Sequence, residues 1–215
     1  MIVELDKIIE SIRMELEEYE RTKEELVGKA RVGIKACGDA IVNAHRGNLD
    51  KCRAKIGEAS LLIKEMNNIV KNAPNMNNLA IFSDLYQEYA EAKLFLEFIE
   101  RKLYPDLQQL QIPGKAYVLG MADLIGELRR YALNSIRKEK TDEAEYTLEV
   151  MEEIFDNIYM LESPKSLLAG LRHKCDIARS VIEKTRGDVT SAISNTRLQK
   201  SMNSLLKKID DSKQD

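Results

Sequence analysis

Two pairs of carboxylates stand one helical turn apart in this chain of 215 residues, Glu88 with Glu91 and Asp123 with Glu127. At spacings of three and four, both members of a pair share one face of an α-helix. Oxygen-only ligands of this kind suit Mg²⁺ or Mn²⁺, cations that keep several waters and bind substrate phosphate oxygens. A carboxylate-held cation can polarise a phosphodiester and generate hydroxide for in-line attack. A helical di-iron centre would instead need Glu-x-x-His. Here Glu91 stands where that histidine would be, and His45 and His173 are isolated elsewhere.

At 100° per residue, Ile81, Asp84, Leu85, Glu91, Ala92, Phe95 and Ile99 gather on the side of Glu88. Tyr86, Ala90, Lys93, Glu97, Glu100 and Arg101 lie opposite and read as the solvated side. Glu88 and Glu91 are therefore expected to interrupt a core-facing surface. A buried carboxylate costs several kcal/mol unless a cation, a metal or a wet cavity compensates it. A buried ion pair with Lys or Arg, or a helix turned to put this face in water, accounts for the same pattern.

On the next helix, Ala116, Leu119, Gly120, Asp123, Gly126, Glu127, Arg130 and Asn134 share a stripe. Val118, Met121, Ile125, Leu128, Ala132 and Ile136 form the opposite, packing face. Glycine inside a helix costs about 1 kcal/mol relative to alanine. Two glycines beside acids thus suggest close approach by a backbone, a metal or a ligand. An ordinary exposed stripe, with Glu127 beside Arg130, is the alternative.

The elements that must position these residues are all helices. Periodicity predicts them over residues 3–46, 49–71, 79–103, 115–138, an acidic one from Thr141, one from Ser163-Pro164, and one after Gly187-Asp188 ending near Lys208. Gly47-Asn48 marks a stop and a cap, the Asn-rich stretch 75–78 offers an N-cap, and residues 105–113 form a linker. With 4 Pro, 10 Gly, no Trp and 44% hydrophobic residues, strands are not expected. The reading is an all-α, seven-helix bundle in one domain, residues 1–209, followed by a polar tail, 210–215.

Cys37, Cys52 and Cys175 are far apart and odd in number, so reduced, buried thiols are expected rather than disulfides or a zinc site. No apolar run approaches the ~20 residues that span a bilayer, so no membrane partner and a cytoplasmic location are expected. The net charge of −3 hides segregation. Residues 29–72 carry nine bases against four acids, residues 141–162 eight acids and no base, and residues 163–215 eleven bases against six acids. Such segregation permits a basic surface on an acidic protein. The phosphate-binding candidates are Lys29, Arg31, Lys35, Arg46, Lys51, Arg53 and Lys55, with Arg129 and Arg130 beside the second acidic pair. No aromatic RNA-binding motif is present, so contacts to phosphates, tolerant of sequence and weakened by salt, are expected.

Gly120-Met121-Ala122-Asp123-Leu124-Ile125-Gly126-Glu127-Leu128-Arg129-Arg130, followed by Asn134-Ser135, resembles the signature of the translin/TRAX family. Gln87-Glu88-Tyr89-Ala90-Glu91-Ala92 is similar to the segment that distinguishes TRAX subunits from translin subunits. The resemblance implies a seven-helix α-superhelical subunit that assembles into hollow, roughly octameric shells. It implies binding of single-stranded RNA or DNA and, for TRAX-type subunits, Mg²⁺-dependent endoribonuclease activity inside the shell. Carried over by position, catalysis falls on Glu88, Glu91 and Asp123, which with Glu127 would hold Mg²⁺ or Mn²⁺.

The chain lacks the long inserted loops and basic targeting stretch of eukaryotic TRAX, and so reads as a compact, prokaryotic-type version. It would form a homo-oligomer or associate with a translin-type subunit. The alternatives are a non-catalytic translin-like shell that binds single-stranded RNA or DNA, and a helical scaffold whose acidic fifth helix binds a basic protein.

Overall fold

The computed structural model describes residues 2–76, 79–101, 104–162 and 170–211. Among them, seven α-helices and no strand are found: α1 (Ile2–His45), α2 (Leu49–Asn72), α3 (Ala80–Ile99), α4 (Leu107–Leu110), α5 (Gly114–Arg137), α6 (Thr141–Tyr159) and α7 (Leu171–Asp211). The all-helical expectation is met, but the count of seven is reached differently. A four-residue helix sits inside the expected linker, where the Asp106 side chain accepts from the Gln108 amide at 3.2 Å. The expected break at Gly187-Asp188 is absent, and α7 runs through it. Ile182, Thr185 and Val189 are buried on both sides of Gly187, and Arg129 bonds both Thr185 and Asp188, at 2.9 and 3.0 Å. Packing and these bonds offset the ~1 kcal/mol that one helical glycine costs.

The starts and ends of α1, α2 and α5 fall within a residue of expectation. Gly47 adopts φ +77°, the left-handed stop that its lack of a side chain permits, and α2 follows at Leu49. Asn48 makes no side-chain cap bond. The cap expected from the Asn-rich stretch is not found at the start of α3. The residue there is Leu79, extended and without a side-chain cap bond, while Asn75 lies in a single 3-10 turn, Pro74–Met76. α3 ends at Ile99, four residues short of expectation, and Arg101 turns to φ +56°. Asparagines 77 and 78, the expected helix end at 102–103, the Ser163-Pro164 start signal and tail residues 212–215 lie outside the described residues.

The chain forms two compact units, residues 1–120 and 121–215. In the first, α1 and α2 are antiparallel, Lys29 meeting Glu65 at 2.7 Å. α2 and α3 are antiparallel in the register that joins Arg53 to Glu100 and Asn67 to Tyr86. α3 therefore runs parallel to α1, with His45 against Phe95 at 4.6 Å between ring centres. The second unit repeats this up-down-up order with α5 from Met121 onward, α6 and α7. Arg186 reaches Glu152 at 2.7 Å, and Arg179 covers the rings of Phe155 and Tyr159. Cys37, Cys52 and Cys175 are buried, as expected. No helix among the described residues is long and apolar enough to cross a membrane.

Candidate functional site

Glu88 and Glu91 sit where α3 is most enclosed. Gly33 of α1 leaves room for Leu85, whose Cδ1 lies 2.7 Å from where a Cβ on that glycine would be. One turn further along, Cys37 of α1 comes within the electrostatic reach of both glutamates. Burial first, then the charges of Glu88 and Glu91, push its thiol up to about 12. From another side, Gly120 in the first turns of α5 packs on the α3 backbone. A Cβ at Gly120 would stand 2.7 Å from the Ala90 Cβ, 2.8 Å from the Gln87 carbonyl and 3.1 Å from the Glu91 amide. The reading of a helical glycine as a point of close backbone approach is met at Gly120 and not at Gly126, where an added Cβ meets nothing within 4 Å.

The solvated face expected on α3 is not found. Tyr86, Ala90 and Glu97 are buried, while Asp84, placed on the core side, is exposed. The reason is enclosure: α1, α2 and the start of α5 leave this helix almost no open side, and its polar groups are satisfied locally. Lys93 bonds Glu97 at 2.5 Å, and Arg53 bonds Glu100. Glu91 is buried, at 9% exposure, and Glu88 is half-buried. The expectation of two acids interrupting a core surface is therefore met at Glu91 and in part at Glu88, while the expected division of the rest of the helix into two faces is not found.

On α5 the expected polar stripe also divides. Ala116, Leu119 and Gly120 are buried within the first unit. Asp123 and Glu127 follow in the second unit, half-buried. There Asp123 is bonded by the Lys174 ammonium, and Glu127 lies 3.8 Å from Arg130. Beside Asp123 is a cleft of about 470 Å³ between α5 and α7.

The donor set can be tested against a divalent cation. Glu88 and Glu91 are hard oxygen donors one turn apart, and Mg²⁺ is commonly held by one or two carboxylates with water and phosphate oxygens. This pair fits that need. Among the described residues no three His, Cys, Asp or Glu side chains stand grouped as a fuller metal site requires. Zinc or iron chemistry built on His and Cys has no donor set of that kind among them.

The basic candidates separate by availability. Lys29 is tied to Glu65 and Glu25, Arg53 to Asp50 and Glu100, Lys55 to Glu58, and Arg129 to Asp188. Arg31, Lys35, Arg46 and Lys51 are exposed, as is Arg130. Lys174 was not among the residues singled out from the sequence. It belongs to the basic segment 163–215, where no individual residue stood out because nothing in a linear pattern ties position 174 to position 123.

The Translin family model matches residues 4–187. An uncharacterised protein of Methanocaldococcus jannaschii is 29% identical over 202 residues, covering 93% of this chain and 88% of that protein. Among solved structures, the crystal structure of AfC3PO is similar with a TM-score of 0.79 and 31% identity, covering 87% of this chain and 97% of the other. The AfC3PO–duplex RNA complex gives 0.77 at the same identity and coverage. Apo-NeC3PO shares the fold, with a TM-score of 0.78 at 20% identity over 86% of this chain and 96% of that one.

Proposed function

This chain belongs to the translin family, and on that premise we propose that it binds RNA as a self-assembled shell and cleaves it as a Mg²⁺-dependent endoribonuclease. RNA binding is supported by the similar AfC3PO, which has been solved with duplex RNA. Cleavage is supported above all by one observation: a glutamate pair, Glu88 and buried Glu91, held on an enclosed helix whose backbone is pinned by Gly120.

Glu88 and Glu91 would hold the cation, with Asp123 as a further oxygen ligand by resemblance to TRAX subunits. Glu127, already beside Arg130, ranks behind them. Bound there, Mg²⁺ or Mn²⁺ would polarise the phosphodiester and lower the pKa of the attacking water. The protein's own part is placement. Rigid packing of α3 against α1 and α5 fixes both carboxylates, and exposed Arg31, Lys35 and Arg46 offer charge to the RNA backbone. Single-stranded RNA is the preferred substrate in this reading. Single-stranded DNA would bind by the same backbone contacts.

Self-association is supported by two exposed apolar stripes. Leu5, Ile9, Ile12 and Leu16 of α1 are 45–62% exposed, and Leu198, Met202, Leu205 and Ile209 of α7 are 49–60% exposed. Both follow the alternating four-three spacing of a helix-packing seam. Their settings are complementary in charge: residues 5–25 carry eight acids and four bases, residues 197–209 four bases and no acid. The proposal is a homo-oligomer, an octamer by resemblance, without need of a separate translin-type subunit.

The test is cleavage of a short single-stranded RNA with Mg²⁺, with EDTA, and by Glu91→Gln in Mg²⁺. Cleavage by the wild type in Mg²⁺ alone is expected. Equal cleavage in all three would sink the catalytic reading. RNA binding that persists without any cleavage would favour the non-catalytic shell.

A further inference from the structure

We infer that the cleft beside Asp123 is a subsite for one nucleotide of single-stranded RNA, with Lys174 as its phosphate-binding group. The inference rests on the RNA-binding reading above and lies wholly within the second unit. The cleft, about 470 Å³, is of the size that takes small ligands, typically ~300–1,000 Å³. Its walls are set by helical spacing. Lys174, Ile177 and Val181 recur at three and four residues along one face of α7, and Ile125 and Gly126 meet them from α5.

Gly126 lines the cleft at a point of open space. It stands in a helix interior, where alanine would be favoured, yet nothing lies within 4 Å of where a Cβ would be. Gly120, less than two turns earlier, is required by packing; Gly126 is not. An open, apolar-walled slot suits the face of a base, which gains by leaving water. Ile177, 51% exposed on one wall, is an apolar surface of the kind such a base would cover.

The polar end of the slot is the Lys174–Asp123 pair. The two side chains are 25% and 27% exposed, so water and ligands reach them. An ammonium in that setting can exchange a carboxylate for a phosphate. A phosphate would meet repulsion from Asp123 unless that charge is neutralised, so a cation taken by Asp123 would release Lys174 toward the RNA. A base paired and stacked in a duplex cannot enter the slot, hence the assignment to single strands.

The experiment titrates uridine 5′-monophosphate, oligouridylate and inorganic phosphate into the full chain in EDTA, so that neither metal nor cleavage intervenes. Asp123→Asn should tighten binding of the mononucleotide by removing the competing carboxylate. Adding Lys174→Met to that variant should weaken it roughly tenfold, the loss of one charge-assisted bond, while Lys174→Arg should retain it. Gly126→Leu should fill the slot and abolish mononucleotide binding with helix content and melting temperature intact. Gly126→Ala serves as the control should leucine disturb the fold. Binding unaltered by both Lys174→Met and Gly126→Leu would overturn the subsite, as would inorganic phosphate competing as well as the nucleotide does. Oligouridylate binding with no mononucleotide binding in any variant also overturns it and leaves the RNA reading standing. Failure of oligouridylate to bind at all removes both.

Discussion

Gly120 and the cysteines carry what can be tested at the level of single residues. A side chain at Gly120 must displace backbone of α3, since the Gln87 carbonyl and Glu91 amide stand within 3.1 Å of its Cβ position. Overpacking against groups that cannot move costs typically ~1–3 kcal/mol. Gly120→Val should lower the urea midpoint accordingly and weaken any metal binding through displacement of Glu91. A neutral result would mean that α5 can shift freely on α3. The thiols give a pH test. Cys37 is pushed up to about 12 and Cys52 to about 11, from an ordinary value of 9.0, burial being the first cause in both. Between pH 9 and about 12 the unfolded chain releases these protons and the folded one holds them, so this contribution to stability is full below pH 9 and declines as pH rises. The double variant Cys37→Ala/Cys52→Ala should therefore lose less stability than the wild type across that window, read by denaturant melts at stepped pH. Parallel declines would refute it.

Helix continuity is the lesson of the next scale. Gly187-Asp188 has the composition of a stop, but α7 continues because residues on both sides are held, by burial of Thr185 and Val189 and by Arg129 bonding Thr185 and Asp188. Nothing lies within 4 Å of a Cβ at Gly187. Gly187→Ala should thus stabilise by up to ~1 kcal/mol, and Gly187→Pro should destabilise by ~3 kcal/mol or more by breaking the helix. A destabilising alanine would show that this position needs the freedom of glycine after all. α3 errs in the opposite direction. Its wheel offered a polar side, but Glu97 and Glu100 are paired with Lys93 and Arg53 while the helix is enclosed. Periodicity reports a helix with one neighbour well and a helix surrounded by several poorly.

For the molecule as a whole, the exposed stripes of α1 and α7 bear on assembly. Burying a leucine or isoleucine of such a stripe contributes roughly 1.5–3 kcal/mol. Replacing Ile9 and Leu16 by Glu, or Leu198 and Leu205 by Glu, should shift the oligomer toward smaller species in light scattering, with helicity by circular dichroism unchanged. Because the two stripes lie in settings of opposite charge, high salt should weaken association of the wild type as well. Oligomers of unaltered mass in both variants would place the subunit contacts elsewhere.

The sequence by itself determined the all-helical class, the spans of α1, α2 and α5, the stop at Gly47, the burial of the cysteines, the pairing of Glu88 with Glu91 on one face and the family. These are consequences of local spacing: a helix of 3.6 residues per turn fixes which neighbours share a face whatever surrounds it. It also carried the motif around Asp123 and Glu127, though not the partners of those acids. Tertiary structure decided that Gly120, and not Gly126, is the point where α5 rests on α3. It also decided that Cys37 lies within the field of both glutamates, that Lys174 stands on Asp123, and that a stripe read as one surface is buried at its start and open further along. Each depends on contacts between residues tens of positions apart, and no local pattern encodes those distances. The carboxylate pair was legible because its spacing is a property of one helix; its enclosure was not, because enclosure is supplied by the others.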